Sequence, residues 1–260
     1  MRKTRRFQLG MDRSDGRLAH GGRCVHVVSR TAGQEILFGD QDKETFHKIL
    51  FKQLKFSGLR VIAWCLMGNH FHLLLEVPAR EAALAALSEE DILARLSVFS
   101  GEMSTKFLQD EIDRRRRLED VEGLRQIAER VSERLFDLSM FMKELKQRMT
   151  LAFNYAHGRT GALWDGHFKS LLVEGGDALR AVAAYIDLNP VRAGLATEPE
   201  GYRWCSYAAA LGGMRLARAG LVSAVSYEKA IPWKQALERY RKFLYGVGQE
   251  VKGGQTPDGH

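Results

Sequence analysis

The chain has 260 residues, of which 45% are hydrophobic, so it can bury a full core and a globally disordered chain is excluded. Its formal net charge is +7, which suits a polyanionic partner such as a nucleic acid. The three cysteines are widely spaced, which excludes a disulfide framework or a zinc cluster and predicts buried thiols. The chain has no apolar run long enough to span a bilayer and no signal segment, so we expect a cytoplasmic protein without membrane insertion.

The chain starts with a basic arm over residues 1–20, followed by a Val-rich strand over Arg23–Arg30. Side chains alternate along a strand, so Cys24, His26 and Val28 share one face. In mid-strand, we expect His26 to be a core histidine or a support for a ligand rather than a ligand itself. Arg30, at the end of the strand, is a candidate for contact with a DNA phosphate.

Two histidines lie in the most apolar strand of the chain. A helix over about 41–57, ended by Gly58, precedes two β-runs over 59–66 and 69–77, which form either a hairpin or one bent strand. On the second run His70 and His72 point the same way, about 7 Å apart. Two imidazoles on one face can bind a divalent cation, although two partly exposed polar positions without a metal fit the same pattern.

Residues 80–137 differ from their surroundings in their dense charge, and their spacing predicts two or three helices in an inserted subdomain. This segment contains a run of arginines that either contacts a phosphate backbone or pairs with the many acids nearby. The run consists of Arg114, Arg115, Arg116 and Arg117.

The second half begins with an amphipathic helix over 138–157 and an extended segment over 162–174. Aromatic and basic groups alternate in that segment, so it either binds single-stranded DNA or places its aromatic rings in the core. Its candidate DNA contacts are Trp164, His167 and Lys169.

The next helix, over 177–187, carries Tyr185, and Asn189 follows one turn later on the same face, just before a proline that closes the helix. A tyrosine beside a metal-held phosphate can act as a nucleophile, and a half-buried structural tyrosine is the alternative. Residues 227–245 predict a final amphipathic helix, followed by a polar tail.

The stretch Met67-Gly-Asn-His-Phe-His-Leu resembles the HUH motif of the single-tyrosine transposases, in the form typical of REP-associated tyrosine transposases. Further segments resemble the same branch in the same order. They are Val25–Arg30, Phe153-Asn154, Gly161–Ser170, Tyr185–Gly194 and Tyr202–Tyr207. Since these motifs are unrelated to one another, their common order favours the resemblance over chance.

The resemblance implies that His70 and His72 bind Mg²⁺ or Mn²⁺, with Asn189 as a third ligand, and that Tyr185 is the catalytic residue. It implies an enzyme that cleaves and rejoins single-stranded DNA beside a hairpin through a 5′-phosphotyrosine, as a monomer or a homodimer. One departure is His167, which stands where the branch commonly has an arginine. The alternatives are a non-catalytic hairpin-binding protein derived from a transposase, and a replication or transfer initiator with the same chemistry.

The implied fold is α+β, an antiparallel sheet with helices packed on it, of the ferredoxin-like or RRM-like type. The transposase core is expected over 21–79 and 138–210. The charged helical segment 80–137, longer than the usual connection in the family, is an insertion into it. Residues 211–260 are expected to form a C-terminal helix and a flexible tail.

Overall fold

A computed structural model describes residues 22–99, 103–226 and 231–253 of the chain. The strands are β1 (Arg23–Arg30), β2 (Arg60–Leu66), β3 (His70–Val77) and β4 (Lys169–Val173). The first α-helices are α1 (Asp40–Ser57), α2 (Arg80–Ala85), α3 (Glu89–Ala94), α4 (Met103–Arg117), α5 (Val121–Ser132) and α6 (Leu138–His157). They are followed by α7 (Asp177–Asp187), α8 (Asn189–Arg192), α9 (Ser206–Leu211), α10 (Arg215–Val225) and α11 (Trp233–Gly253). Short 3₁₀ turns occupy Ala32–Gln34, Arg95–Phe99 and Pro199–Gly201.

The strands form one four-stranded sheet in the order β2-β3-β1-β4, and every neighbouring pair is antiparallel. This order, with α1 between β1 and β2 and α6 between β3 and β4, is the ferredoxin-like arrangement. The predicted α+β class and antiparallel sheet are therefore confirmed. The two β-runs that the sequence left undecided are a hairpin, since β2 pairs directly with β3.

The two faces of the sheet carry different helices. On one face Phe71 packs against Phe46 of α1, with ring centroids 4.8 Å apart, and α6 lies beside α1. Helix α1 begins where the Asp42 carboxylate accepts a hydrogen bond from Gly39 N, and it ends at Gly58, whose φ of 79° suits a residue without a Cβ. Helix α7 covers the other face of the sheet, the one that carries the histidines.

The charged segment builds a hydrophobic cluster of its own, centred on residues such as Phe99, Ile127 and Leu135. It meets the rest of the molecule at the end of α1, where the Arg95 guanidinium donates to the Phe56 carbonyl and Phe136 N donates to the Ser57 carbonyl. The helical character predicted for this part of the chain is confirmed, although its described residues form four α-helices, α2 to α5, rather than two or three. The domain division itself stays a prediction.

The C-terminal region differs from the prediction in detail. Residues 206–225, which show no clear pattern in the sequence, form α9 and α10, and α11 runs over 233–253 rather than 227–245. Side chains of α10 and α11, such as Leu221, Tyr240 and Leu244, join the same core as the sheet. The basic arm and residues 254–260 lie outside the described residues. Among the helices described, none is long and apolar enough to cross a membrane.

Candidate functional site

Three histidines share the α7 face of the sheet. His26 lies on β1, and His70 and His72 lie on the neighbouring strand β3, with His72 directly opposite Val28. The His70 and His72 rings have centroids 5.0 Å apart, and the His26 and His72 rings are nearly parallel, with centroids 5.2 Å apart. The structure therefore places His70 and His72 side by side on one face, as the period of a strand predicts.

The orientation of the His70 ring is set by Asn69. The Asn69 amide nitrogen donates to the Gln34 carbonyl over 2.9 Å, so its Oδ1 faces the His70 Nδ1 at 2.7 Å and accepts a hydrogen bond from it. His70 thus carries its proton on Nδ1, and the lone pair of its Nε2 is left to bind a cation. Asn69 was not singled out from the sequence as an orienting residue, although its place beside the first histidine was the available signal.

His72 has a partner at each ring nitrogen. Its Nδ1 lies 3.0 Å from Nε2 of His26, and its Nε2 lies 3.3 Å from the Asn189 side-chain amide. The amide group is the third member of the predicted ligand set, and it does reach the histidine pair. Turning the amide by 180° presents its oxygen to the same point.

Tyr185 lies over the same histidines. Its ring meets the His72 ring edge-on at 5.7 Å and the His26 ring at 6.1 Å, and its side chain is 39% exposed. The short helix α8 follows α7 with only Leu188 between them, and Leu188 itself has helical angles. The predicted one-turn spacing of Tyr185 and Asn189 is therefore realised, although the helical path continues past Pro190 instead of closing there.

A cation that was not predicted from the sequence lies beside the tyrosine. The Arg192 guanidinium carbon is 5.0 Å from the centroid of the Tyr185 ring. Arg192 follows Asn189 on α8, so helical spacing from Tyr185 was the signal that could have pointed to it.

The buried Asp187 carboxylate anchors α7 on the side away from the histidines. Its Oδ1 accepts hydrogen bonds from Ser206 Oγ and Tyr207 N, at 2.8 and 3.0 Å, and its Oδ2 accepts one from the Tyr240 hydroxyl at 2.6 Å. Burial raises the pKa of Asp187 to about 6 even though these donors favour its charged form. The helix that carries Tyr185 is thus tied to α9 and α11.

The electrostatics of the site keep the imidazoles neutral. Burial, together with the nearby His70, His26 and Arg30, lowers the pKa of His72 to about 3. Burial also lowers the pKa of His70, although a hydrogen bond with Asn189 raises it in part. Neutral imidazoles are the form that coordinates metals, so these ligands need not lose a proton first at neutral pH.

The donor set fits a divalent cation in part. No group of three or more His, Cys, Asp or Glu side chains within the described ranges could hold a metal. The available donors are two imidazole nitrogens and the oxygen of one amide, so further oxygens must come from water or a substrate. Mn²⁺ accepts both donor types, whereas Mg²⁺ favours the oxygen donors.

Three predicted DNA contacts lie in the open at the His70 end of the sheet. Arg30 is the strand partner of His70, and Lys169 stands opposite Val28 on the histidine face. His167 is exposed in the loop that leads into β4. Their contact with DNA stays a prediction.

The prediction of Trp164 as a DNA contact is wrong. The structure places it in the core, 9% exposed, where it packs edge-on against Phe71 with ring centroids 5.4 Å apart. Its Nε1 donates to the Lys146 carbonyl over 3.1 Å. A base therefore cannot stack on this ring without unpacking the core, and the alternative of a core aromatic is the one realised.

The arginine run lies away from the histidines, on α4 in the charged segment. Arg114 and Arg115 bond to Glu111, Arg115 also bonds to Asp120, and Arg116 bonds to Glu90. Arg117 is exposed. Pairing with acids, the second of the two interpretations of the sequence, is thus realised for Arg114, Arg115 and Arg116.

No family model matches the chain, and no curated protein matches it. The chain is similar to a solved structure of a REP-associated tyrosine transposase bound to a REP hairpin, with a TM-score of 0.46 and 13% sequence identity over 82% of this chain and 87% of that one.

Proposed function

We propose that this protein is a metal-dependent tyrosine transposase that cleaves and rejoins single-stranded DNA beside a hairpin. One observation carries the proposal: the Tyr185 ring lies 5.7 Å from the His72 ring, and Asn189 lies within 3.3 Å of the same imidazole. Residues from a strand and from a helix far along the chain thus meet at one point. Composition or strand periodicity alone would not bring a tyrosine and an amide to a histidine pair.

The chemistry follows from the groups present. The Tyr185 hydroxyl loses its proton to solvent and its oxygen attacks a DNA phosphorus, forming a 5′-phosphotyrosine while the bond to the 3′-oxygen breaks and that oxygen gains a proton. The covalent link conserves the phosphodiester energy, so a 3′-hydroxyl can reverse the step and join strands. A divalent cation held by His70, His72 and Asn189 would neutralise the phosphate and orient it for in-line attack.

The metal we propose is Mg²⁺ or Mn²⁺, because the ligand set leaves open positions for phosphate oxygens. Tyr185, both histidines and Asn189 belong to one chain, so a monomer contains the groups that this chemistry needs. A homodimer remains compatible with the same site.

The test is a trapping experiment with a single-stranded hairpin substrate that releases its short product after cleavage. With Mg²⁺ or Mn²⁺ we expect a DNA-linked protein band from the wild type and none from Tyr185→Phe, while both bind the hairpin equally. Tyr155→Phe is the matched control, because Tyr155 is 92% exposed on α6 and should form the adduct normally.

An undiminished adduct from Tyr185→Phe would overturn the assignment of the nucleophile. A tight hairpin complex that needs no metal and gives no adduct with the wild type would favour the alternative, a non-catalytic hairpin-binding protein.

A further inference from the structure

The two histidines of the candidate metal site are each held by another side chain at the nitrogen that faces away from the metal position. Asn69 Oδ1 accepts a hydrogen bond from His70 Nδ1, and the Asn69 amide nitrogen in turn donates to the Gln34 carbonyl. At His72 the corresponding nitrogen, Nδ1, meets His26 Nε2 at 3.0 Å. Such a partner fixes both the tautomer and the direction of a ligand.

We propose that His26 is a positioning residue that keeps His72 protonated on Nδ1, so that the His72 Nε2 lone pair is free to bind the metal. The inference rests on the proposed function, since it concerns the same metal site. It assigns a role to the one histidine of this sheet face that the ligand set does not use.

The direction of the hydrogen bond decides whether His72 can be a ligand. When two neutral imidazole nitrogens lie 3.0 Å apart, one of them donates an N–H and the other accepts it. If His26 Nε2 donates that proton, His72 carries its own on Nε2, where it points at Asn189 and blocks coordination. If His72 Nδ1 donates, its Nε2 presents a lone pair. A cation at His70, His72 and Asn189 therefore requires His26 to be the acceptor.

The surroundings of His26 keep it in this role. Its ring is nearly parallel to the His72 ring, at an interplanar angle of 18°, as an in-plane hydrogen bond between the two nitrogens requires, and the edge-on Tyr185 ring limits its movement on another side. Since its Nε2 is directed at His72 rather than at the point that His72 Nε2 and Asn189 share, His26 supports the site without being a ligand.

The first test measures Mn²⁺ binding to the DNA-free protein, by following the electron paramagnetic resonance signal of the free ion. We expect His26→Leu to weaken Mn²⁺ affinity on the order of 10- to 100-fold, as loss of such a partner commonly does. His26→Gln should retain most of the affinity, because its Oε1 reaches about as far as the imidazole Nε2 and accepts the same proton. His47→Leu is the control, because it removes a histidine of α1 that packs on Trp64 on the opposite sheet face.

The second test observes the protonation of His72 directly. Nitrogen NMR of ¹⁵N-histidine-labelled, metal-free wild type should show His72 protonated on Nδ1, and His26→Leu should release that preference. His72 protonated on Nε2 in the wild type, or His26→Leu with wild-type Mn²⁺ affinity, would overturn the inference and leave the proposed function standing. If His70→Ala, with His26 unchanged, binds Mn²⁺ as tightly as the wild type, the proposed metal site itself is wrong.

Discussion

Arg192 is the cation that lies beside the proposed nucleophile, Tyr185. Its guanidinium lies over the Tyr185 ring at 5.0 Å, and within the described residues it forms no ion pair with a carboxylate. A cation over an aromatic face contributes about 1 kcal/mol, and this one is also free to meet a phosphate beside the tyrosine. We therefore expect Arg192→Leu to slow adduct formation about tenfold at saturating DNA.

Two further variants make this expectation specific. Arg192→Lys keeps the charge and should restore part of the rate. Arg203→Leu removes a similar contact elsewhere, since Arg203 lies 4.2 Å from the Trp204 ring, and should leave the rate unchanged. Equal rates for Arg192→Leu and wild type, measured by single-turnover trapping, would show that the contact does not assist the tyrosine.

At the level of single residues, the sequence could predict the shared face of His70 and His72, because a strand has a fixed period of two. It did not single out Asn69 as the partner of His70, and it left His26 as either a core histidine or a support for a ligand, because those hydrogen bonds depend on how neighbouring strands and loops meet. The prediction that Trp164 contacts DNA was wrong for a related reason. The alternation of aromatic and basic groups around it suits binding to a DNA strand, but the burial of a side chain is set by what packs on it.

The Asp187 carboxylate anchors helix α7, since it accepts a hydrogen bond of 2.6 Å from the Tyr240 hydroxyl of α11. A buried carboxylate that loses a donor keeps its desolvation cost, typically about 1–3 kcal/mol. Tyr240→Phe should therefore lower the free energy of unfolding by about that amount. Because α7 carries Tyr185, it should also reduce the rate of adduct formation. Chemical denaturation and the trapping assay measure the two effects.

The control lies one turn further along the same helix. The hydroxyl of Tyr245 bonds to the Glu200 carboxylate near the surface, and its side chain is 38% exposed. Tyr245→Phe should change stability by much less, since water can replace the missing donor. If both variants are equally stable, the buried carboxylate is not the anchor of α7.

The predictions of whole helices were confirmed where the sequence contains a residue that ends the helix. Helices α1 and α6 are both followed by a glycine with positive φ, Gly58 and Gly158, and their apolar spacing is regular. Helix α10 was missed because its small residues give little periodic signal. They are required by packing: a Cβ on Gly220 would lie 2.3 Å from the Ile62 carbonyl oxygen of β2.

The histidine site and the charged segment lie toward opposite ends of the sheet. The histidine site lies where β3 begins at His70, whereas the charged segment follows the end of β3 at Val77 and docks on the last turn of α1. Eight residues of strand span roughly 23 Å. The resemblance covers the core, so it could not predict where an insertion of this length docks; that depends on the contacts with Phe56 and Ser57.

This separation leads to a prediction about DNA binding. Arg30 and Lys169 lie exposed at the site end, whereas Arg114, Arg115 and Arg116 already pair with acids in the charged segment. Removal of one cation that neutralises a phosphate should reduce the salt dependence of single-strand binding by about 0.7 in the log–log slope. We therefore expect Arg30→Gln and Lys169→Gln each to weaken hairpin binding and flatten this slope.

The same substitution in the arginine run should behave differently. Arg114→Gln and Arg116→Gln should leave both affinity and slope close to wild type, because their charge is already compensated and lies far from the scissile phosphate. Fluorescence anisotropy across a series of salt concentrations compares all four variants on one hairpin with a single-stranded flank. A flattened slope for the α4 variants would mean that the DNA extends along the length of the sheet to the charged segment, which would then be a second part of the DNA-binding surface.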